Sequence, residues 1–315
     1  MSQIQNLTLR NAADVVDVLP LLVGYYPAER MAVVAFDAQD RLMVTGTIEL
    51  TDDVAILAEA LLPIAHRAGS VMLLVYTEDV EHAWHVLNTV TSIMDIAADV
   101  APIRATIAVT PEGWTEYEDE PLQPVPHGPA ETAAIVAGLT CQPSRDEVTR
   151  TLAPNPARVN ERQALTPTGF PEDARSIRNE LDDTTPETMT AETAQRLASL
   201  TLNTDHRDAY LMTLTPERAE RDLFVWCAVA SYYDDTEDRP EAEGALMGVT
   251  MTGWLSGRGA HMTAALQRTD NREDAGVRTG PNSSLMLMMN KAHLLAVPPS
   301  AWVEMAKALQ EPDGE

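Results

Sequence analysis

Cysteine is nearly absent. Cys141 and Cys227 are the only two in 315 residues, too few for a disulfide framework and in contexts too unlike for a cysteine-ligated metal. Neither belongs to a CxxC pair or sits beside a histidine ladder, so both read as buried free thiols in a reducing compartment. Aromatics are sparse, at three Phe, seven Tyr and five Trp. Aliphatic side chains must therefore fill the core, helped by 14 methionines that adapt to irregular gaps. Basic residues are outnumbered 48 to 22 by acidic ones, for a formal net charge of −26. That balance works against sequence-independent nucleic-acid binding and against anionic membrane surfaces. It leaves room for a basic partner or for an acidic nucleic-acid mimic, although a general acidic bias of the source proteome is the plainer account of it.

No apolar run approaches the length of a membrane span, "SLMLMM" being far too short. Met1 to Arg10 is polar and mixed, not basic and then apolar. The expectation is a cytoplasmic protein. Catalytic signatures are missing as well. There is no G-x-S-x-G, no cysteine with candidate partners and no GK[ST] phosphate loop.

What is present is organisation. Asn11 is placed to cap "AADVVDVLPLLVG", where Val15, Val18, Leu19 and Leu22 recur at helical spacing and Gly24 provides a stop. Pro20 predicts that this helix ends or bends early. "RMAVVAF" and "RLMVTGTIEL" around "DAQD" predict a hairpin. A helix follows, capped by Thr51 or Asp52 and irregular at Pro63. "SVMLLVYT" is a continuous apolar run that fits a strand buried on both faces. After it come the helix "VEHAWHVLNTVTSIMDIAADV", the strand "IRATIAVTP", and "GWTEYED" pairing back across Pro111–Gly113. The order is that of an α/β fold, a small mixed sheet with a hairpin and covering helices.

From Glu120 the texture is Pro-rich, and beyond about residue 175 every periodic stretch is helical. The reading is a sheet domain over 1–120, a connector with short helices over 121–175, and a helical domain over 176–315 that closes on a tetratricopeptide-like helix pair. Ser144, three residues before Glu147, opens one connector helix as a capping box. Asp234 to Gly244, "DDTEDRPEAEG", reads as a solvated loop, and the tail "EPDGE" as frayed.

Three stretches resemble a known family. "AADVVDVLPLLVGYYPAERMAVVAF" is similar to an opening with the corner P-x-L-L-G-[FY]-x-P, "AAIVAGLTCQPSRDEVTRTLAP" to a mid-chain PSRxxLxxxLAP segment, and "GWLSGRGAHMTAALQRTD…NSSLMLMMNKAHLLAVPPSAW" to a closing helical pair. In that order they mark members of the family catalogued as domain of unknown function 4192. The resemblance implies an actinobacterial or actinophage source, hence the host cytoplasm if phage-encoded, and carries no activity with it. Arg258 stands where the family tends to have Asp in "GDG", and Arg30-Met31 replaces its usual pair after the corner.

The residues offered as ligand-binding are Tyr25 and Tyr26 at the Gly24–Pro27 corner, Glu78 and Asp79 after the buried strand, and Arg258 in "SGRGAH". Tyrosines can stack on a ligand. The carboxylates sit where α/β sheets place sites, and a glycine-bracketed arginine at a helix start can hold an anion. The corner has an architectural alternative, closing one end of the sheet, and so has the arginine turn, letting two helices pack closely; the strand-end carboxylates rest on their place in the topology alone. His82 and His85 share a helix face but lack further ligands, and Asp205 to Asp208 reads as solvated charge. No metal and no cofactor is expected. The functional expectation is a non-catalytic binding or interaction protein with an unidentified protein partner or small ligand. The alternatives are an enzyme with its site near Glu78 and Asp79, and an acidic nucleic-acid mimic.

Overall fold

In a computed structural model the described residues are 9, 11–97, 99–136, 139–165, 176–277, 280–295 and 297–310. The expected tail "EPDGE" and part of the connector, 166–175, lie outside them. The chain forms two compact units, Met1–Arg145 with Leu294–Pro298, and Asp146–His293 with Pro299–Glu315.

The first unit runs α1 (Ala12–Val23), β1 (Arg30–Phe36), β2 (Leu42–Glu49), α2 (Val54–Ala65), β3 (Ser70–Tyr76), α3 (Val80–Ile96), β4 (Ile103–Thr110), β5 (Gly113–Thr115) and α4 (Pro129–Val136). Its strands form one mixed sheet in the order β2-β1-β3-β4-β5. Only β3 and β4 are parallel, joined through α3; the other neighbours are antiparallel. Alternation along the strands decides which side chains meet which helix. Met31, Val33 and Ala35 of β1 and Val71, Leu73 and Val75 of β3 pack with Leu57 and Leu61 of α2 and Leu87 and Val90 of α3. β3 is buried along nearly its whole length, as its unbroken apolar run predicts.

Pro20 does not end the first helix. α1 continues to Val23 and closes on Gly24, whose φ of 85° is left-handed and whose N–H donates to the Pro20 carbonyl at 2.9 Å. A proline deletes one helical hydrogen bond, and here burial outweighs that loss: every residue from Val15 to Val23 is buried. Val18, Leu21 and Leu22 meet Ala130, Ala134 and Leu139 on the α4 side. Likewise α2 runs through Pro63, and its cap is Asp53, which accepts from the Ala55 N–H at 3.2 Å, in place of the expected Thr51 or Asp52.

The second unit contains α5 (Arg145–Leu152, its first residue belonging to the first unit), α6 (Pro156–Gln163), α7 (Ile177–Asp182), α8 (Ala191–Leu200), α9 (Thr204–Leu211), α10 (Pro216–Ala230), α11 (Pro240–Leu255), α12 (Gly259–Asp274), α13 (Ser283–Leu294, its last residue in the first unit) and α14 (Ser300–Gln310). No strand occurs among its described residues. Its centre is α11, packed against α10 and α12 and buried almost all round. Small residues make this close packing work. A Cβ on Gly248 would stand 2.2 Å from the Trp226 ring, and one on Gly253 2.9 Å from the Met262 nitrogen.

The acidic stretch between α10 and α11 is not simply solvated. Its last residues, from Pro240, already belong to α11. Arg268 grips Asp235 through Nε at 2.8 Å and Nη2 at 2.6 Å, and Arg162 pairs with Glu237. Arg272 donates to the carbonyls of Asp234, Glu237 and Arg239 at 3.0–3.1 Å.

Candidate functional site

The corner after α1 is built into the fold on one side and open on the other. Gly24 and Tyr26 exchange backbone hydrogen bonds with Gln142, at 2.8 and 3.1 Å. Tyr25 is buried, and its hydroxyl hydrogen-bonds Thr47 of β2. Tyr26 is 56% exposed. Partial burial raises its phenol pKa, and the charges of Cys141 and Glu131 add to the rise. Cys141 is half-buried, not buried as expected, and its thiol donates to the Gln142 carbonyl at 3.3 Å. Cys227 is buried, which pushes its thiol up to about 12 and makes it inert at neutral pH.

Beside this corner is a group that local spacing gave no reason to assemble. Asp17 lies on the α1 surface that meets the start of α4, and it is buried. Its Oδ2 accepts from the Gly128 N–H at 2.9 Å and the Glu131 N–H at 3.1 Å, so a carboxylate from one helix caps another. Its Oδ1 is buried with no hydrogen-bond partner. His127 and Glu131 flank the same helix start, with Nδ1 and Oε2 3.1 Å apart. One donor atom from each of Asp17, His127 and Glu131 lies within 4.8 Å of the other two, and among the described residues no other such trio occurs. The only signals in the sequence were an aspartate inside an apolar helix and an i,i+4 His–Glu pair, 114 positions from Asp17 at its far end.

The strand-end carboxylates behave differently. Asp79 caps α3, accepting from the Glu81 N–H at 2.9 Å and the His82 N–H at 3.3 Å. Glu78 is exposed, and its N–H donates to Glu29 at 3.3 Å. Glu29, which sequence reading passed over, also accepts from the Thr77 hydroxyl at 2.9 Å and holds a left-handed φ of 49°. Its carboxylate thus pins the turn before β1 to the end of β3, which compensates an unfavourable backbone conformation. His82 and His85 lie on α3 and join no ligand trio among the described residues.

Arg258 begins α12 with its side chain buried and Nη2 2.8 Å from Glu220. His261, one turn on, is buried with neither ring nitrogen hydrogen-bonded, and packs edge-on to Phe224 at 5.9 Å. Burial, then the Arg258 charge, lowers its pKa to about 4, so the ring is neutral at pH 7. Asp205 to Asp208 sits in the first turns of α9, where Arg207 pairs with Asp208 at 2.8 Å and reaches the Pro281 carbonyl at 3.2 Å.

A cavity of about 350 Å³ opens in the helical unit, lined by Pro154, Pro156, Val159, Asn160, Gln163, Asp234, Thr236 and Glu237. Its acids are already engaged. Glu237 is held by Arg162 and by Gln163 at 2.6 Å, and Asp234 by the Thr236 N–H and hydroxyl at 2.9 and 2.6 Å. The Thr236 hydrogen bonds keep the Asp234 carboxyl below its usual range, hence ionised. An Asp234 carboxyl held ionised has no proton to donate, which is poor equipment for general acid catalysis.

The model of one family, Domain of unknown function (DUF4192), matches residues 13–275, and the chain belongs to that family. No curated protein and no solved structure matches it.

Proposed function

We propose that this family member is a non-catalytic binding protein that engages a protein partner through its helical unit. The observation that carries this reading is the use of the ionisable groups. At the strand ends Asp79 caps a helix and Glu29 clamps a turn, and in the helical unit Arg258 is buried against Glu220. The carboxylates an enzyme would use as acid or base are thereby spent as fixed acceptors. The last two helices, in contrast, hold large apolar side chains in water: Leu287 and Met288 on α13, Val303 and Met305 on α14, each 42–56% exposed. Exposed apolar groups on neighbouring stretches of chain are what a protein partner covers. The net charge of −26 favours a basic partner and disfavours nucleic acid. The same reading sets the protein in a cytoplasm, as two cysteines without a disulfide would suit. An accessory or host-interaction role in an actinobacterial phage fits the family resemblance.

The test is native mass spectrometry of the full chain purified from cells of its source, beside a Leu287→Asp/Met288→Asp variant. Expected is a stoichiometric partner that dissociates as salt rises and is missing from the variant while its circular dichroism is unchanged. A wild-type chain that emerges alone at low salt, or a partner retained by the variant, overturns the reading.

A further inference from the structure

We propose that Asp17, His127 and Glu131 form a binding site for one divalent transition-metal ion, Zn²⁺ by the character of the donors, joining α1 to the start of α4.

The argument begins with Asp17. A buried carboxylate is stable only when its oxygens find donors or a cation. Oδ2 has two N–H donors, from Gly128 and Glu131, and that accounts for half of the group. Oδ1 has none, although the residue is only 7% exposed. A role as a remote helix cap explains the first oxygen and leaves the second unexplained. A metal ion explains the second.

The neighbours supply the remaining donors. His127 Nδ1 and Glu131 Oε2 stand 3.1 Å apart, close to the roughly 3 to 3.5 Å between two ligands that share an ion at bonds of about 2.1 Å. The trio as a whole spans at most 4.8 Å, so closing on an ion takes a side-chain shift of about 1 Å to meet those bond lengths. His127 is free to make it, because its side chain is 77% exposed, whereas Asp17 is fixed by its two hydrogen bonds. One imidazole with two carboxylates suits zinc in a three-ligand site whose further position is open to water. Two carboxylates also balance the ion's charge. The positive end of α4 would repel a cation, but the N–H groups of Gly128 and Glu131 donate to Oδ2, so the Asp17 carboxylate already meets that partial charge.

The test uses the full chain, freed of any tag and stripped with chelator. Co²⁺ is titrated in as a spectroscopic probe, followed by its visible absorption and by calorimetry, and Zn²⁺ is then added to displace it. Asp17→Asn is unsuitable as the deciding variant because it also weakens a helix cap. His127→Ala and Glu131→Gln alter more exposed groups and leave the backbone hydrogen bonds in place. Expected is one Co²⁺ per chain, displaced by Zn²⁺, with affinity falling roughly tenfold or more in each variant, since even outer partners of a metal ligand carry that much. The control His82→Ala/His85→Ala should bind as the wild type does. No uptake at millimolar Co²⁺, unchanged affinity in His127→Ala, or loss confined to the α3 control would each overturn the site.

Discussion

Among the described residues, the sheet unit buries one charged side chain, Asp17, whereas the helical unit buries Arg162, Asp222, Glu243, Arg258, Arg268 and Arg272. The two regions satisfy their backbones differently. In the sheet each interior strand finds partners on both sides, and the covering helices need offer only apolar faces. The helical unit is made of many short helices, and each end leaves carbonyls unpaired. Arginine supplies what they lack. Arg268 donates to the carbonyls of Leu152, Ala230 and Tyr233, and Arg162 Nε to that of Tyr232 at 3.1 Å. Ala230, Tyr232 and Tyr233 lie at the C-terminal end of α10 and Leu152 at that of α5, where cations are also favoured by the helix dipole. Arg178 does the same for a side chain, holding Asp222 bidentately at 2.6 and 3.0 Å while Tyr210 bonds both Asp222 and Trp226. Arg162 and Arg268 place buried charge where helix ends crowd together, which by itself does not mark a reaction.

The comparison breaks most easily at Arg268. Arg268→Ala should cost about 3–5 kcal/mol, the usual penalty for orphaning a buried ionic partner. It would strand Asp235 together with three carbonyls. Denaturant unfolding followed by circular dichroism measures it. Arg268→Lys should recover only part of the loss, because a single ammonium cannot span acceptors on three segments. A cost below about 1 kcal/mol, the range of exposed pairs, would show that the loop is held by its apolar contacts and would remove the distinction between the units.

Much of the sheet unit was legible because its signals are local. The hairpin follows from two β-rich runs around a polar turn, and β3 from seven residues with no polar interruption beyond Ser70. The helical unit was legible in kind for the same reason. What sequence reading missed depends on distance. Asp17 is separated by 114 positions from Glu131, and Arg162 by 75 from Glu237, and no spacing rule spans such gaps. The acidic stretch was misread because its acids are visible in the sequence and the arginines that face them lie on other helices. Pro20 misled for a related reason: the local cost of a proline was clear, but the burial of the whole helix was not. Of the residues offered as a site, Tyr26 keeps an exposed ring beside the corner, while Tyr25, Asp79 and Arg258 have bonded into the scaffold.

A second way to sharpen the contrast is acid. His261 in the helical unit has a folded pKa of about 4 against about 6.5 in an unfolded chain. As pH falls below 6.5 the unfolded chain takes up the proton first, so its contribution to stability is full above that pH and drains away towards pH 4. The loss amounts to about 3 kcal/mol. Carboxylates titrate over the same range, so the measurement is a difference between unfolding free energies of wild type and His261→Gln at pH 7 and pH 4. The wild type should lose the extra amount. Parallel pH profiles would mean that the buried ring accepts its proton without penalty.

The smallest expected effect bears on the sheet unit and separates a cap from a site. Asp79→Ala removes the acceptor for the Glu81 and His82 N–H groups at the start of α3, and should cost about 1 kcal/mol. Asp79→Asn should cost much less, because an amide oxygen caps nearly as well. Thermal unfolding of both variants gives the ordering. A ligand-binding carboxylate would reverse it in a binding assay, since Asn discards the charge that a ligand would read and keeps the acceptor that a helix needs. The Asn variant therefore carries the decision: intact stability together with intact partner binding identifies Asp79 as part of the frame, in keeping with a sheet unit whose strand-end acids serve the backbone.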